Sequence, residues 1–164
     1  MKIAVCLPCH NEATAIADVV EAFRQHLPEA TIYVFDNAST DDTISVARAA
    51  GAVVRRELHK GKGNVVRRMF ADVEADVYLL ADGDGTYDAG RAREMVDLLV
   101  RDNLDMVTGV RVGAMAEAYR PGHRFGNRLL TGIVKRLFGN QISDMLSGYR
   151  VFSRRFVKGS IGVS

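Results

Sequence analysis

Asp76-Val77-Tyr78-Leu79-Leu80-Ala81-Asp82-Gly83-Asp84-Gly85 is an apolar run that stops at two carboxylates, with glycines between and after them. Such a run predicts a strand over 76–81 that is buried on both faces. Two carboxylates two residues apart at a strand's end can both reach one divalent cation, and the glycines let backbone and phosphate groups come close. Hard oxygen ligands suit Mg²⁺ or Mn²⁺, whose shell substrate phosphates commonly complete. An isolated Asp-x-Asp also serves as an acidic turn before a helix. The place of Asp82 and Asp84 after a central strand favours the metal reading.

The same pattern continues outward from this strand. Lys2 to Leu7 is a short apolar run and a predicted strand. Ile16, Val19, Val20, Phe23 and Leu27 recur at three- and four-residue spacing, which predicts an amphipathic helix from Asn11 to Leu27, closed by Pro28. Thr31 to Phe35 is the second strand. Asp41 to Ala50 is the second helix, with Ser39 or Thr40 as candidate caps and Gly51 as its stop. Residues 52–54 form a weak third strand and Gly63 to Ala75 a third helix. Beyond the acidic cluster follow a helix over 89–102 and a strand over 104–110. The alternation predicts one domain, a Rossmann-like, doubly wound, mostly parallel α/β sheet with right-handed crossovers. Past residue 110 the alternation stops. A basic amphipathic helix is expected over 120–138, then a short strand from Tyr149 to Phe152. The last seven residues, Lys158 to Ser164, carry no helical or strand rhythm.

In doubly wound sheets ligands sit at the carboxyl ends of the strands. Three small polar clusters stand there: Pro8-Cys9-His10-Asn11-Glu12, Asp36-Asn37-Ala38-Ser39-Thr40-Asp41 and the acidic stretch Asp82 to Gly85. Asp36 is placed to accept hydrogen bonds from a ribose hydroxyl or a base imide. Helix capping by Ser39, Thr40 or Asp41 is compatible with that role. Lys60-Gly61-Lys62-Gly63 puts a basic, flexible loop at a helix start, where free N–H groups and the helix dipole favour a phosphate. It lacks P-loop spacing, and no Gly-x-Gly-x-x-Gly follows the first strand, which argues against a dinucleotide-binding enzyme. Cys6-Leu7-Pro8-Cys9 has redox-dithiol spacing, but Cys6 falls inside a predicted strand and reads as a small buried hydrophobe. The four histidines are too scattered for a zinc pattern.

The 164 residues are 48% hydrophobic and 26% charged, which excludes disorder, collagen and coiled coil as descriptions of the whole chain. Two cysteines make no disulfide framework. No apolar run approaches the roughly 20 residues of a membrane span, and the N-terminal run is too short for a signal peptide. A cytoplasmic protein is expected. Charge is uneven: residues 1–110 carry 12 basic and 18 acidic side chains, residues 111–164 carry 10 basic and 2 acidic. The basic part suits an anionic partner, or else is a solvated basic helix.

Six motifs in order carry a resemblance: Pro8 to Glu12, Asp36 to Asp41, His59 to Gly63, Ala81 to Asp88, Thr108 to Arg111 and Asp144 to Arg150. Over about residues 2–155 the sequence resembles the family 2 glycosyltransferases of GT-A fold. The nearest branch is that of dolichyl-phosphate mannosyltransferase and bacterial polyprenyl-phosphate glycosyltransferases. The resemblance implies one GT-A domain over 1–164, with a nucleotide-sugar half (1–110) and an acceptor half (111–158). It implies that Pro8, Asn11, Glu12, Asp36, Lys62 and Asp82 line the nucleotide pocket. Asp82 and Asp84 would hold Mg²⁺ or Mn²⁺. Arg111, Arg124 and Arg128 would meet the phosphate of a lipid acceptor, and Ser147, Gly148 and Arg150 would line the sugar side.

The implied reaction is inverting transfer of a hexose from a UDP- or GDP-linked sugar to a polyprenyl phosphate at the inner face of the membrane, with no nucleic-acid partner. Asp84, Asp144 and Arg150 are its candidate catalytic residues. An ionised lipid phosphate needs no general base; a saccharide hydroxyl acceptor needs one, and Asp144 is then the candidate. Related enzymes often place a further metal ligand two residues after the second Asp. Here Thr86 stands there, with Asp88 or water as the substitute. The family usually continues beyond Ser-Gly-Tyr-Arg, so a shortened acceptor side is expected, and with it the alternative of a non-catalytic remnant. A nucleotidyltransferase, which also uses paired acids, calls for a glycine-rich first loop that Pro8-Cys9-His10 does not supply.

Overall fold

The computed structural model describes residues 1–109 and 148–161. Its centre is a six-stranded sheet of β1 (Ile3–Cys9), β2 (Thr31–Asp36), β3 (Val53–Arg56), β4 (Val77–Leu80), β5 (Met106–Thr108) and β6 (Arg150–Ser153). The order across the sheet is β3-β2-β1-β4-β6-β5. β1, β2, β3 and β4 are parallel neighbours. Five helices accompany them: α1 (Ile16–His26), α2 (Thr43–Ala49), α3 (Lys62–Asp72), α4 (Ala92–Arg101) and α5 (Arg154–Ile161).

Alternation along each strand sorts the core into two layers. Val5, Leu7, Val34, Leu79 and Val151 pack on one face with Val20 and Phe23 of α1, Ala47 of α2 and Val96 of α4. Cys6, Phe35, Tyr78, Leu80 and Phe152 pack on the other with Val65 and Met69 of α3 and Val157 of α5. β4 is buried along its whole length because helices cover both its faces. Each fully buried Val, Leu or Phe here contributes about 1.5–3 kcal/mol. Edge strand β3 is mostly exposed and carries Arg55 and Arg56, which blunts it against pairing with another chain.

α1 and α2 lie on one face and α3 on the other, so the chain reverses direction across the sheet between β1 and β4. That is the topological switch point, where the strand ends splay and a ligand crevice opens.

Three expectations change. The strand 104–110 is not the parallel continuation of the sheet. β6 inserts beside β4, antiparallel to it, and β5 pairs only with β6 at the edge. The chain's final residues are not without rhythm: Lys158 to Ile161 belong to α5. Phe156 and Val157 of this helix face the second core layer, and Lys158 and Arg154 pair with Glu74. Finally, α1 begins at Ile16, not at Asn11, because residues 10–14 are drawn into the loop described below. The predicted helix over 120–138 lies outside the described residues.

Candidate active site

The ends of β1, β2 and β4 bring the three polar clusters to one edge. Asp36 is the last residue of β2, paired with Cys9 of β1. Its side chain is fully buried. Oδ2 accepts from the Ser39 N–H at 3.3 Å and lies 3.8 Å from Arg56 Nε. Among the described residues Oδ1 has no hydrogen-bond partner. An unpaired buried acceptor costs about 1–3 kcal/mol, a cost that a donor arriving with a ligand would offset.

The loops after β1 and β2 are bonded to one another. The Asn11 N–H donates to Ser39 Oγ, and the Thr40 N–H donates to Asn11 Oδ1 at 2.8 Å. The Glu12 N–H donates to Thr43 Oγ1, and the Ala13 N–H to Asp41 Oδ2. Ser39 and Thr40 are therefore not the caps of α2. The N-cap residue is Asp42, whose side chain makes no capping bond; Asp41, one residue earlier, accepts from the Thr43 N–H and hydroxyl. Asn11 and Ala38 both sit at φ 57°, a left-handed conformation tolerated by Asn and uncommon for Ala.

Asn37 ties in a third loop. Its amide nitrogen donates to the carbonyls of Glu57 and His59, and its Oδ1 accepts from the Gly61 N–H at 2.9 Å. This holds the basic loop so that Lys62, first residue of α3, reaches Asp82 Oδ1 in an ion pair. Asp82 Oδ2 faces the Tyr87 hydroxyl at 3.5 Å, and that hydroxyl accepts the Gly148 N–H at 2.8 Å. A Cβ on Gly148 would stand 2.7 Å from Asp82 Oδ2, so only glycine fits this approach. Arg150, the first residue of β6, pairs with Leu80 and is buried.

Asp84 is exposed, and its Oδ1 accepts from the N–H and hydroxyl of Thr86. Asp88 caps the following 3-10 turn (Ala89–Arg91) by accepting from the Gly90 N–H. Among the described residues no group of three or more His, Cys, Asp or Glu is arranged to hold a metal. Asp82 and Asp84 offer two hard oxygen donors, which fits a Mg²⁺ or Mn²⁺ ion that takes its other ligands from phosphate and water. The surplus of acid shows on Glu12. Burial first, then the charges of Asp84, Asp82 and Asp41, raise its pKa above the ordinary 4.5.

The two thiols are structural. Burial pushes Cys6 up to about 12. Burial, with Glu12, Asp36, Asp82 and Asp84 nearby, pushes Cys9 higher still. Both are free and buried, which removes the dithiol reading.

Pro8, Asn11, Glu12, Asp36, Lys62, Asp82, Asp84, Gly148 and Arg150 are thus placed on or behind one edge of the sheet. Arg111, Arg124, Arg128, Asp144 and Ser147 lie outside the described residues. Asn37 and Tyr87 had no signal of their own in the sequence, since an Asn in a turn and a Tyr after an acidic stretch are ordinary.

The family model described as glycosyl transferase family 2 matches residues 4–159. Protein RfbJ of Shigella flexneri is 56% identical over 124 residues, 75% of this chain and 96% of RfbJ. Glycosyltransferase AglJ of Haloferax volcanii is 40% identical over 159 residues, 92% of this chain and 50% of AglJ. Among solved structures, the glucosyl-3-phosphoglycerate synthase of Mycobacterium tuberculosis in complex with Mn²⁺, UDP-glucose and phosphoglyceric acid aligns with a TM-score of 0.68. Its identity is 26%, and the alignment covers 94% of this chain and 57% of the synthase. The chain therefore spans nearly all of RfbJ but about half of AglJ and of the synthase. With Asp36, Asp82 and Asp84 gathered at the strand ends beside the switch point and a family match over nearly its whole length, the chain belongs to glycosyl transferase family 2 and is a glycosyltransferase of GT-A fold.

Proposed function

We propose that the chain transfers a hexose, with inversion, from a nucleoside diphosphate sugar to a polyprenyl phosphate. The observation that carries the donor half is the convergence of a buried, unpaired Asp36 oxygen with Asp82, Asp84 and Lys62 at one strand edge. Asp36 accepts from the base or ribose. Lys62 and the start of α3 receive the diphosphate. Gly148 and Arg150 flank Asp82 through the β4–β6 pairing, on the sugar side. Asp82 and Asp84 would hold Mg²⁺ or Mn²⁺, which supplies charge stabilisation for the departing diphosphate.

The acceptor half is supported by the charge of residues 111–147, 6 basic against 2 acidic side chains, which suits an anionic acceptor met by Arg111, Arg124 and Arg128. A relative named dolichyl-phosphate hexose transferase in Haloferax volcanii, 27% identical over 155 residues, points the same way. A phosphate acceptor is already ionised near neutral pH, so no group need remove a proton. Among the described residues no helix is long and apolar enough to cross a membrane. An acceptor phosphate on a polyprenyl chain would put this chemistry at the inner membrane surface.

The test is a panel of UDP- and GDP-sugars with Mn²⁺ or Mg²⁺ and a short polyprenyl phosphate. A glycolipid with inverted anomeric configuration is expected. Transfer only to a saccharide hydroxyl would replace this reading with one in which Asp144 is the base. Nucleotide binding without any transfer would select a non-catalytic chain.

A further inference from the structure

Both oxygens of Asp82 are engaged in the protein alone, Oδ1 by the Lys62 ammonium and Oδ2 by the Tyr87 hydroxyl. The Lys62 and Asp82 side chains are 29% and 26% exposed, so bulk water screens the pair only in part. A metal that binds Asp82 alone must break this pair and put three positive charges beside one carboxylate. Asp84 relieves that only in part.

A diphosphate changes the balance. Lys62 begins the 11-residue helix α3, and its N-cap, Gly61, has no side chain to satisfy the first-turn N–H groups. A phosphate oxygen there receives both the ammonium and the helix start. Asn37 holds Gly61 in place, so the backbone need not move. Only the four-carbon Lys62 side chain has to leave Asp82.

We infer that Lys62 is a resident cation on Asp82 that a divalent metal must displace, so that metal and donor diphosphate bind as a coupled pair. The inference rests on the donor reading above. By linkage, whatever factor the nucleotide contributes to metal affinity, the metal returns to nucleotide affinity.

The experiment is a Mn²⁺ titration followed by electron paramagnetic resonance, with and without UDP or GDP, on the full chain. In the wild type, nucleotide raises Mn²⁺ affinity by about 10-fold or more, within the usual coupling range of roughly 5–150-fold. Lys62→Met, which keeps the bulk and removes the charge, binds Mn²⁺ about 5-fold or more tighter than wild type without nucleotide, and its enhancement by nucleotide falls by at least that factor. Lys62→Arg restores the wild-type pattern. Arg67→Met, an equal loss of charge on the exposed side of α3, leaves it unchanged.

If Lys62→Met gains no Mn²⁺ affinity while UDP or GDP still enhances binding as in wild type, the displacement idea fails and the donor reading stands. If wild type binds no Mn²⁺ even with either nucleotide, both fail. Circular dichroism on each variant separates these outcomes from loss of fold, and Lys62→Gln, which also removes the charge, is read in the same way should Lys62→Met not fold.

Discussion

Replacing Gly83 with Ala tests how the acidic loop is seated. Gly83 has a negative φ, so backbone strain does not exclude a side chain there; space does. A Cβ on Gly83 would lie closer than 3.0 Å to Cys9 Sγ. The sulfur cannot swing clear easily, because Cys9 is buried and its thiol donates to the Leu7 carbonyl at 3.6 Å. Overpacking a buried site costs about 1–3 kcal/mol, and this clash belongs at the upper end, about 3 kcal/mol. Cys9→Ala alone removes one buried heavy atom, a loss of about 1 kcal/mol. In the double variant the new methyl occupies the space the sulfur leaves, so the total should be about 1 kcal/mol, not 4, a coupling of about 3 kcal/mol. At about 2–4 °C per kcal/mol for a chain of this size, Gly83→Ala lowers Tm by about 6–12 °C and the double variant by about 2–4 °C. Thermal unfolding by circular dichroism on the four proteins reads this directly. Additive losses would show that Gly83 does not seat the loop against Cys9.

Gly148→Ala pushes a methyl between Asp82 Oδ2 and the Tyr87 hydroxyl, at 2.7 and 2.8 Å. Sugar transfer should fall about tenfold or more and Tm should fall with it, and Tyr87→Phe should restore part of both; a fully active Gly148→Ala refutes the close approach. Glu12→Gln should raise Tm. Folding raises the Glu12 carboxyl above its ordinary 4.5, so its penalty is absent below about pH 4.5 and grows as pH rises through the raised value. The gain over wild type should be present at pH 7–8 in metal-free buffer and should vanish near pH 4; a gain confined to acid pH reverses the sign and rejects the argument. Neither thiol should react with a disulfide reagent at pH 8 without denaturant, since both are buried and Cys6 is held near 12. Fast labelling of either would place it at the surface.

Much of this molecule is readable from spacing alone. β1 and β4 announce themselves as apolar runs because both their faces are covered, and α1 by the three- and four-residue rhythm of Ile16, Val19, Val20 and Phe23. Asp36 and Asp82 stand out because a charged residue directly after such a run must lie at a strand end. The insertion of β6 between β4 and β5 was not legible. Strand order is decided by pairing between residues about 70 apart, such as Leu79 with Val151, and nothing local encodes it. α5 is not legible because Gly159 interrupts a short helix that is held by Phe156 and Val157 against the core and by ion pairs to Glu74 and Asp105, all partners elsewhere in the chain. Of the three candidate caps before α2, Ser39 and Thr40 have the right hydroxyls but turn them to Asn11, and only Asp41 bonds the start of the helix.

That exchange between the first two loops has an evolutionary corollary. Position 11 supplies one donor and one acceptor, and positions 39 and 40 return the matching acceptor and donor. Neither the side chain at 11 nor that at 39 can drift alone without orphaning a backbone amide of the facing loop. Homologous lineages should therefore inherit positions 11 and 39 together, and a chimera that takes one loop from a distant cousin should lose the fit between the loops until the other loop is taken with it.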